Sequence, residues 1–188
     1  TAVDRIDVSG AARIIGPLLS SGPITLSGTV RIEGDALGTP VTLNGQAEVT
    51  GRIAASERIN PDPIGLERFG ELADKTSSNY LIPAKYLDKG SLVLGAGAQL
   101  TLTTGTYVLN GLSISAKAEL KTDGPVQLFV RGGVRVTGGS RLNERGIAEN
   151  LILIASTTEA MHFSGGVRAA GFFNNPRGAL ELAGSATL

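Results

Sequence analysis

The chain contains no cysteine and no tryptophan, one methionine and one histidine, and aromatic residues make up only 4% of its 188 positions. Without cysteine, neither a disulfide framework nor a thiolate metal site is possible. The 17 basic and 17 acidic residues cancel, which removes the electrostatic case for a nucleic-acid partner. No apolar run is long enough to span a membrane. What remains is a chain with 26 glycines and many small aliphatic residues, a composition that suits a thin, stacked core.

A nine-residue pattern occurs eight times. Every copy is apolar at positions one, three and nine, carries Gly or Ala at position five, and is small or apolar at position seven. The copies begin at Ile6, Ile24, Val41, Leu92, Leu112, Val134, Met161 and Leu180. Alternate apolar residues on each side of a glycine predict two short strands joined at a bend.

The spacing of the copies predicts the fold. Their starts lie mostly about 20 residues apart, which is typical of a solenoid whose small units bury their apolar faces on one another. We therefore predict one all-β domain over residues 1–188, a right-handed parallel β-helix of about eight coils. Leu112, Val134 and Met161 should lie directly above one another. The first repeat begins at Ile6 and the last ends at Leu188, so neither end carries a cap, and we expect a fragment, a processed chain or a subunit whose open ends stack on something else.

One insertion interrupts the repeats. The interval between Val41 and Leu92 is 51 residues, and residues 57–91 are polar and rich in proline. Asp62 can cap a helix and Pro63 can occupy its first position. We expect one short helix, through Asp74, lying against the solenoid.

Position two of the repeat supplies the candidate site. In a chain-ordered stack, His162 lies between Arg135 and Glu181 on the outward face. A histidine beside a carboxylate is able to act as a general base, as a polysaccharide-cleaving enzyme requires. The structural alternative is a solvated face on which opposite charges pair between coils. The sequence contains no motif for a cofactor and no cluster for a metal, so neither is predicted.

Position eight carries the other notable charges. Arg13 and Arg31 should be neighbours in the stack, as should Arg141 and Arg168. These pairs are open to an acidic partner, or their long side chains simply cover the strand surface.

Two families resemble parts of the chain. The segments GTYVLNG (105–111), DGPV (123–126), VRVTG (134–138) and FFNNP (172–176) resemble, in this order, the β-helical domain of bacterial pilus-assembly-associated and other exported surface proteins. The segments GTVRIEGD (28–35) and GQAEVTGR (45–52) are similar to repeats of bactofilins, cytoskeletal proteins that polymerise end to end.

The resemblance and the repeats together lead to a functional expectation. We expect a non-enzymatic structural or adhesive module of an exported surface or pilus-type assembly, located outside the cell or on its surface. Its partners would be its own copies or neighbouring subunits at open solenoid ends, or a surface or glycan ligand. The alternatives are a cytoplasmic bactofilin-like polymer and a β-helix polysaccharide lyase or hydrolase that uses Arg135, His162 and Glu181.

Overall fold

The structure, a computed structural model, describes residues 5–56, 71, 75 and 77–188. These residues form a β-solenoid of about eight turns, as the repeat predicts. The strands are β1 (Ile6–Gly10), β2 (Arg13–Ile15), β3 (Leu18–Leu19), β4 (Ile24–Gly28), β5 (Arg31–Glu33), β6 (Ala36–Leu37), β7 (Val41–Gly45), β8 (Glu48–Val49), β9 (Ile53–Ala54), β10 (Leu87–Asp88), β11 (Ser91–Leu94), β12 (Gln99–Leu109), β13 (Leu112–Ile114), β14 (Glu119–Val130), β15 (Val134–Val136), β16 (Arg141–Leu142), β17 (Leu151–Ala155), β18 (Met161–Ser164), β19 (Arg168–Ala169), β20 (Phe172–Asn174) and β21 (Leu180–Ala183). Short 3-10 helices lie at Asn79–Leu81, Ala84–Tyr86 and Ala148–Asn150.

The first half of each repeat forms a rung of one nine-stranded sheet, the first face of the solenoid. Its order is β10-β11-β13-β15-β18-β21-β1-β4-β7, and every pair except β10 with β11 is parallel. Leu112 pairs with Val134, and Val134 pairs with Met161. The prediction that these three residues lie above one another is confirmed.

The second and third faces complete each coil. The long strands β12 and β14 each turn a corner, so that their first halves lie on the second face and their second halves on the third. In the N-terminal coils, separate short strands form these two faces. Strands β2, β5 and β8 lie on the second face, and β3, β6 and β9 lie on the third. Strands β3 and β6 come from the short linkers between the N-terminal repeats, so these linkers supply the third side.

The order of the coils differs from the order of the chain. The first repeat stacks on the last, because Ile6 pairs with Leu180 on one side and with Ile24 on the other. The prediction of free ends at the first and last repeats is therefore wrong. All eight repeats offer the same apolar pattern, so nothing in a repeat specifies which copy it contacts. The actual end rungs are β11, with β10 against it, and β7.

Alternation places the apolar repeat positions inside. Ile6, Ile24 and Leu26 are fully buried, and each such side chain contributes roughly 1.5–3 kcal/mol of stability. The glycine at position five allows the close approach of coils: Gly28 has φ +96°, and a Cβ there would lie 2.5 Å from the carbonyl oxygen of Gly10. Only glycine accepts both conditions, so the bend is fixed by the sequence.

One end of the solenoid is covered by residues 77–91. Strand β10 pairs antiparallel with β11, and Ser77 forms a parallel bridge with Thr106 on β12. The Asn79 side chain bonds both backbone groups of Val108. Ile82, 4% exposed, belongs to the core. We refer to this as the capped end.

The other end is the coil of β7, β8 and β9. Within the part of the chain that the structure describes, each of these strands pairs on one side only, with β4, β5 and β6 respectively. Leu43 is 42% exposed and Ile53 is 47% exposed, although their partners Leu26 and Ala36 are fully buried. We refer to this as the open end.

The predicted insertion connects the two ends. The chain leaves β9 at the open end and its next strand, β10, lies at the capped end; the end rungs β7 and β11 are seven coil spacings apart, or about 34 Å at ~4.8 Å each. Glu71 and Lys75 are helical. The remainder of the helix predicted between Asp62 and Asp74, and its packing against the solenoid, lie outside the described residues.

Candidate functional site

The candidate residues form a row on the outer side of the first face. Arg135 lies on β15, His162 on β18 and Glu181 on β21, and the three are consecutive in register. The His162 imidazole Nδ1 lies 2.8 Å from Glu181 Oε2. The sequence thus predicted both this neighbourhood and the contact between histidine and carboxylate.

The changed coil order brings two further charged residues to the row. Asp7 on β1 pairs in register with Glu181, and Arg5 immediately precedes β1. Arg5 Nε donates to Asp7 Oδ2 at 2.7 Å, and Arg5 Nη2 donates to Glu181 Oε1 at 3.2 Å. The repeat pattern does not indicate this cluster, because chain order places Asp7 at the opposite end of the column.

The charges of this row are largely paired with one another. The hydrogen bonds that Arg5 donates, first to Glu181 and then to Asp7, raise the pKa of its guanidinium above the ordinary value. All four side chains remain partly exposed to solvent, from 28% for Glu181 to 49% for Arg5. Pairs of this kind contribute little to stability. Chemically, Glu181 orients the imidazole, while Arg5 donates one hydrogen bond to each of the two carboxylates.

A pocket of about 240 Å³ lies beside this row. Arg135 forms one wall and Glu159, from the loop before β18, forms another. The remaining lining residues come mainly from the starts of neighbouring rungs: Ser91, Gly111, Leu112, Ser113, Gly133, Val134 and Ala160. No sequence pattern marks Glu159 as part of a site, because it lies between repeats and its neighbours in space belong to other coils.

The arginines of position eight lie on the second face and have acidic partners within the chain. Glu33 accepts hydrogen bonds from Arg13 at 2.9 and 3.0 Å and from Arg31 at 3.2 Å. The bond from Arg13 lowers the pKa of Glu33 and raises that of Arg13. Arg13 and Arg31 are thus each paired with an acid of the same chain, although both side chains remain about half exposed.

Glu144 has the same role on the C-terminal side. Its carboxylate lies 3.1 Å from Arg141 Nε and 3.0 Å from Arg168 Nη1. Each pair of neighbouring arginines is therefore bridged by one glutamate that lies outside the repeat positions.

The described residues contain no group of three or more His, Asp or Glu side chains arranged to hold a metal ion. Among the same residues, no helix has the length and apolar character needed to cross a membrane. Comparisons with protein-family models, curated proteins and solved structures give no match to this chain. The resemblance to pilus-associated domains and to bactofilins therefore stays a prediction.

Proposed function

We propose that this β-solenoid is a non-enzymatic structural module that associates with a second copy of itself through the open end. The observation that carries the proposal is the contrast in burial along the stack: Leu26 is fully buried, whereas Leu43, at the same repeat position one coil further, is 42% exposed. An exported surface or pilus-type assembly is the setting that this role suggests.

The open end presents two kinds of unsatisfied surface. Its three strands β7, β8 and β9 have no neighbour on their outer side among the described residues, so backbone N–H and C=O groups face outward. Such edges readily pair with another chain. Val41 and Val49 pack only partly against the core, and Ile53 is 47% exposed.

A second copy fits this surface because it offers the same three edges and the same apolar residues. Two identical ends meet about a twofold axis, the commonest symmetry of soluble oligomers. The chain has zero net charge, so no long-range repulsion opposes the approach. At the capped end, within the described part of the chain, Leu87 and Asp88 pair with β11 and Ser77 bridges to β12, so part of that edge already has a partner. The expected product is a dimer, in place of the head-to-tail polymer that uncapped ends would give.

Sedimentation equilibrium of the whole chain tests this proposal. The wild-type chain should show a concentration-dependent dimer, and Leu43→Lys should shift it to monomer because a charge then lies in the interface. Ile147→Lys is the matched control: Ile147 is also an exposed apolar residue, at 64%, but lies far along the stack. A wild-type monomer at high concentration, or equal loss of dimer in both variants, would overturn the proposal.

The enzymatic alternative has less support from the geometry. The pairing of His162 with Glu181 favours it, but Glu181 and Asp7 both accept hydrogen bonds from Arg5. Sugar-binding clefts also use aromatic rings as platforms. None of the outward residues at positions two and four of the eight described rungs is Phe, Tyr or Trp.

A further inference from the structure

We propose that the pocket between Arg135 and Glu159 binds a small zwitterion, a molecule with one carboxylate and one ammonium group. This site is separate from the open end, so it does not depend on the proposed self-association. It also differs from the enzymatic hypothesis, because it requires neither His162 nor a reaction.

The pocket is lined by two charged side chains of opposite sign, and neither is paired among the described residues. Within the residues that the structure describes, neither the Arg135 guanidinium nor the Glu159 carboxylate forms a side-chain hydrogen bond or an ion pair, with each other or with a neighbour. The rest of the row behaves differently, since Arg5, Asp7, His162 and Glu181 are all paired. Arg135 and Glu159 are thus the charges on this face that are available to a ligand.

The floor of the pocket depends on glycine. A Cβ built at Gly133 would lie 2.5 Å from Glu159 Oε2, so the carboxylate lies directly over this residue. A Cβ at Gly111 would lie 3.1 Å from the hydroxyl of Ser91. The hydroxyls of Ser91 and Ser113 add groups that both donate and accept hydrogen bonds. A volume of about 240 Å³ suits a ligand of a few heavy atoms.

The wall that carries Glu159 is held in place by a buried side chain. Asn175, 0% exposed, donates from Nδ2 to the carbonyl oxygens of Glu159 at 2.9 Å and Ala179 at 3.0 Å. The backbone N–H of Glu159 donates to Thr157 Oγ1 at 3.1 Å. The loop is therefore ordered before any ligand arrives, which lowers the entropic cost of binding.

The charges themselves select the ligand class. A simple anion would be attracted by Arg135 but repelled by Glu159, and a simple cation would meet the reverse. A zwitterion satisfies both, and Arg135 is able to hold its carboxylate with two parallel hydrogen bonds. The separation between the two charges of the ligand should match the distance between the two walls.

Titration of the whole chain, followed by backbone amide NMR at low ionic strength, tests the assignment. The probes are glycine and 4-aminobutyrate, which differ in charge separation, with acetate and methylammonium as single-charge comparisons. We expect saturable shifts at Ser113, Arg135 and Glu159 for one of the zwitterions, with a Kd of about 1 mM. Acetate and methylammonium should bind at least about tenfold more weakly, because each lacks one charge-assisted bond.

The variants Arg135→Gln and Glu159→Gln should each weaken zwitterion binding about tenfold. Arg145→Gln and Glu149→Gln remove the same charges from exposed residues outside this pocket and should leave binding unchanged. Equal binding of acetate and zwitterion, insensitivity to Glu159→Gln, shifts that map elsewhere, or no saturable shift with either zwitterion would each overturn the proposal.

Discussion

The two ends of the solenoid are built from the same repeat but are finished differently. At position three, Leu94 in the rung at the capped end is fully buried, whereas Leu43 at the open end is 42% exposed. The difference does not come from the repeats, which are equally apolar there. It comes from residues 77–91, which cover the edge strands β11 and β12.

This contrast shows how a repeat array acquires direction. A solenoid built from equivalent units has unpaired strand edges at both ends, and these edges are able to pair with another chain. At one of them, strand β10 and the Asn79 side chain bond part of the edge, so among the described residues the two edges differ in how they are covered. The described C-terminal part of the insertion therefore makes the two ends of the solenoid unlike.

The largest expected effect is a difference between two identical substitutions at the ends. Leu94→Ala should lower the free energy of unfolding by about 2–5 kcal/mol, because it leaves a cavity in a closed core. Leu43→Ala should cost about 1 kcal/mol or less in the monomer, since its side chain is already partly in water. Urea unfolding at low protein concentration measures both. Equal losses would show that the open end is covered in solution.

A moderate effect is expected from the turn that joins β10 to β11. Gly90 has φ +80°, and a Cβ there would lie 2.7 Å from Asn110 Nδ2, so Gly90→Ala should cost about 1–2 kcal/mol. Hydrogen exchange should rise mainly in β10 and β11 as the cap loosens. Gly45→Ala, with φ +74° at the open end, is the matched control and should act mainly on β7. The same exchange pattern in both variants would argue against independent ends.

The smallest effect concerns the charges that link the last coils before the open end. The pKa of Glu33 is lowered from 4.5, so its bonds to Arg13 and Arg31 stabilise the fold above that pH. The contribution is lost as the pH falls through the lower folded-state pKa. Glu33→Gln should therefore unfold at a slightly lower temperature than wild type near neutral pH, and the difference should vanish in acid and shrink in high salt. A difference that persists in acid would mean that packing is the cause. Glu149→Gln, an exposed glutamate outside this network, should show no such pH dependence.

The sequence predicted the neighbours within each half of the chain but not the join between the halves. Arg135, His162 and Glu181 were expected to be consecutive, and they are, because they belong to repeats that follow one another along the chain. Asp7 was expected at the far end, since chain order was the only guide to stacking. Arg5 and Glu159 precede repeats, and no periodic pattern marks such positions as parts of a site.

The alternation of apolar residues and the glycine at position five determined, without further help, that this chain forms stacked parallel strands, because those features act within nine residues. The order of the coils, the covering of one end and the meeting of Asp7 with Glu181 were decided only by the tertiary structure. Every repeat offers the same apolar pattern, so the repeats alone do not set the stacking order, which the tertiary structure decides by pairing β1 with β21 and by placing β7 and β11 at opposite ends.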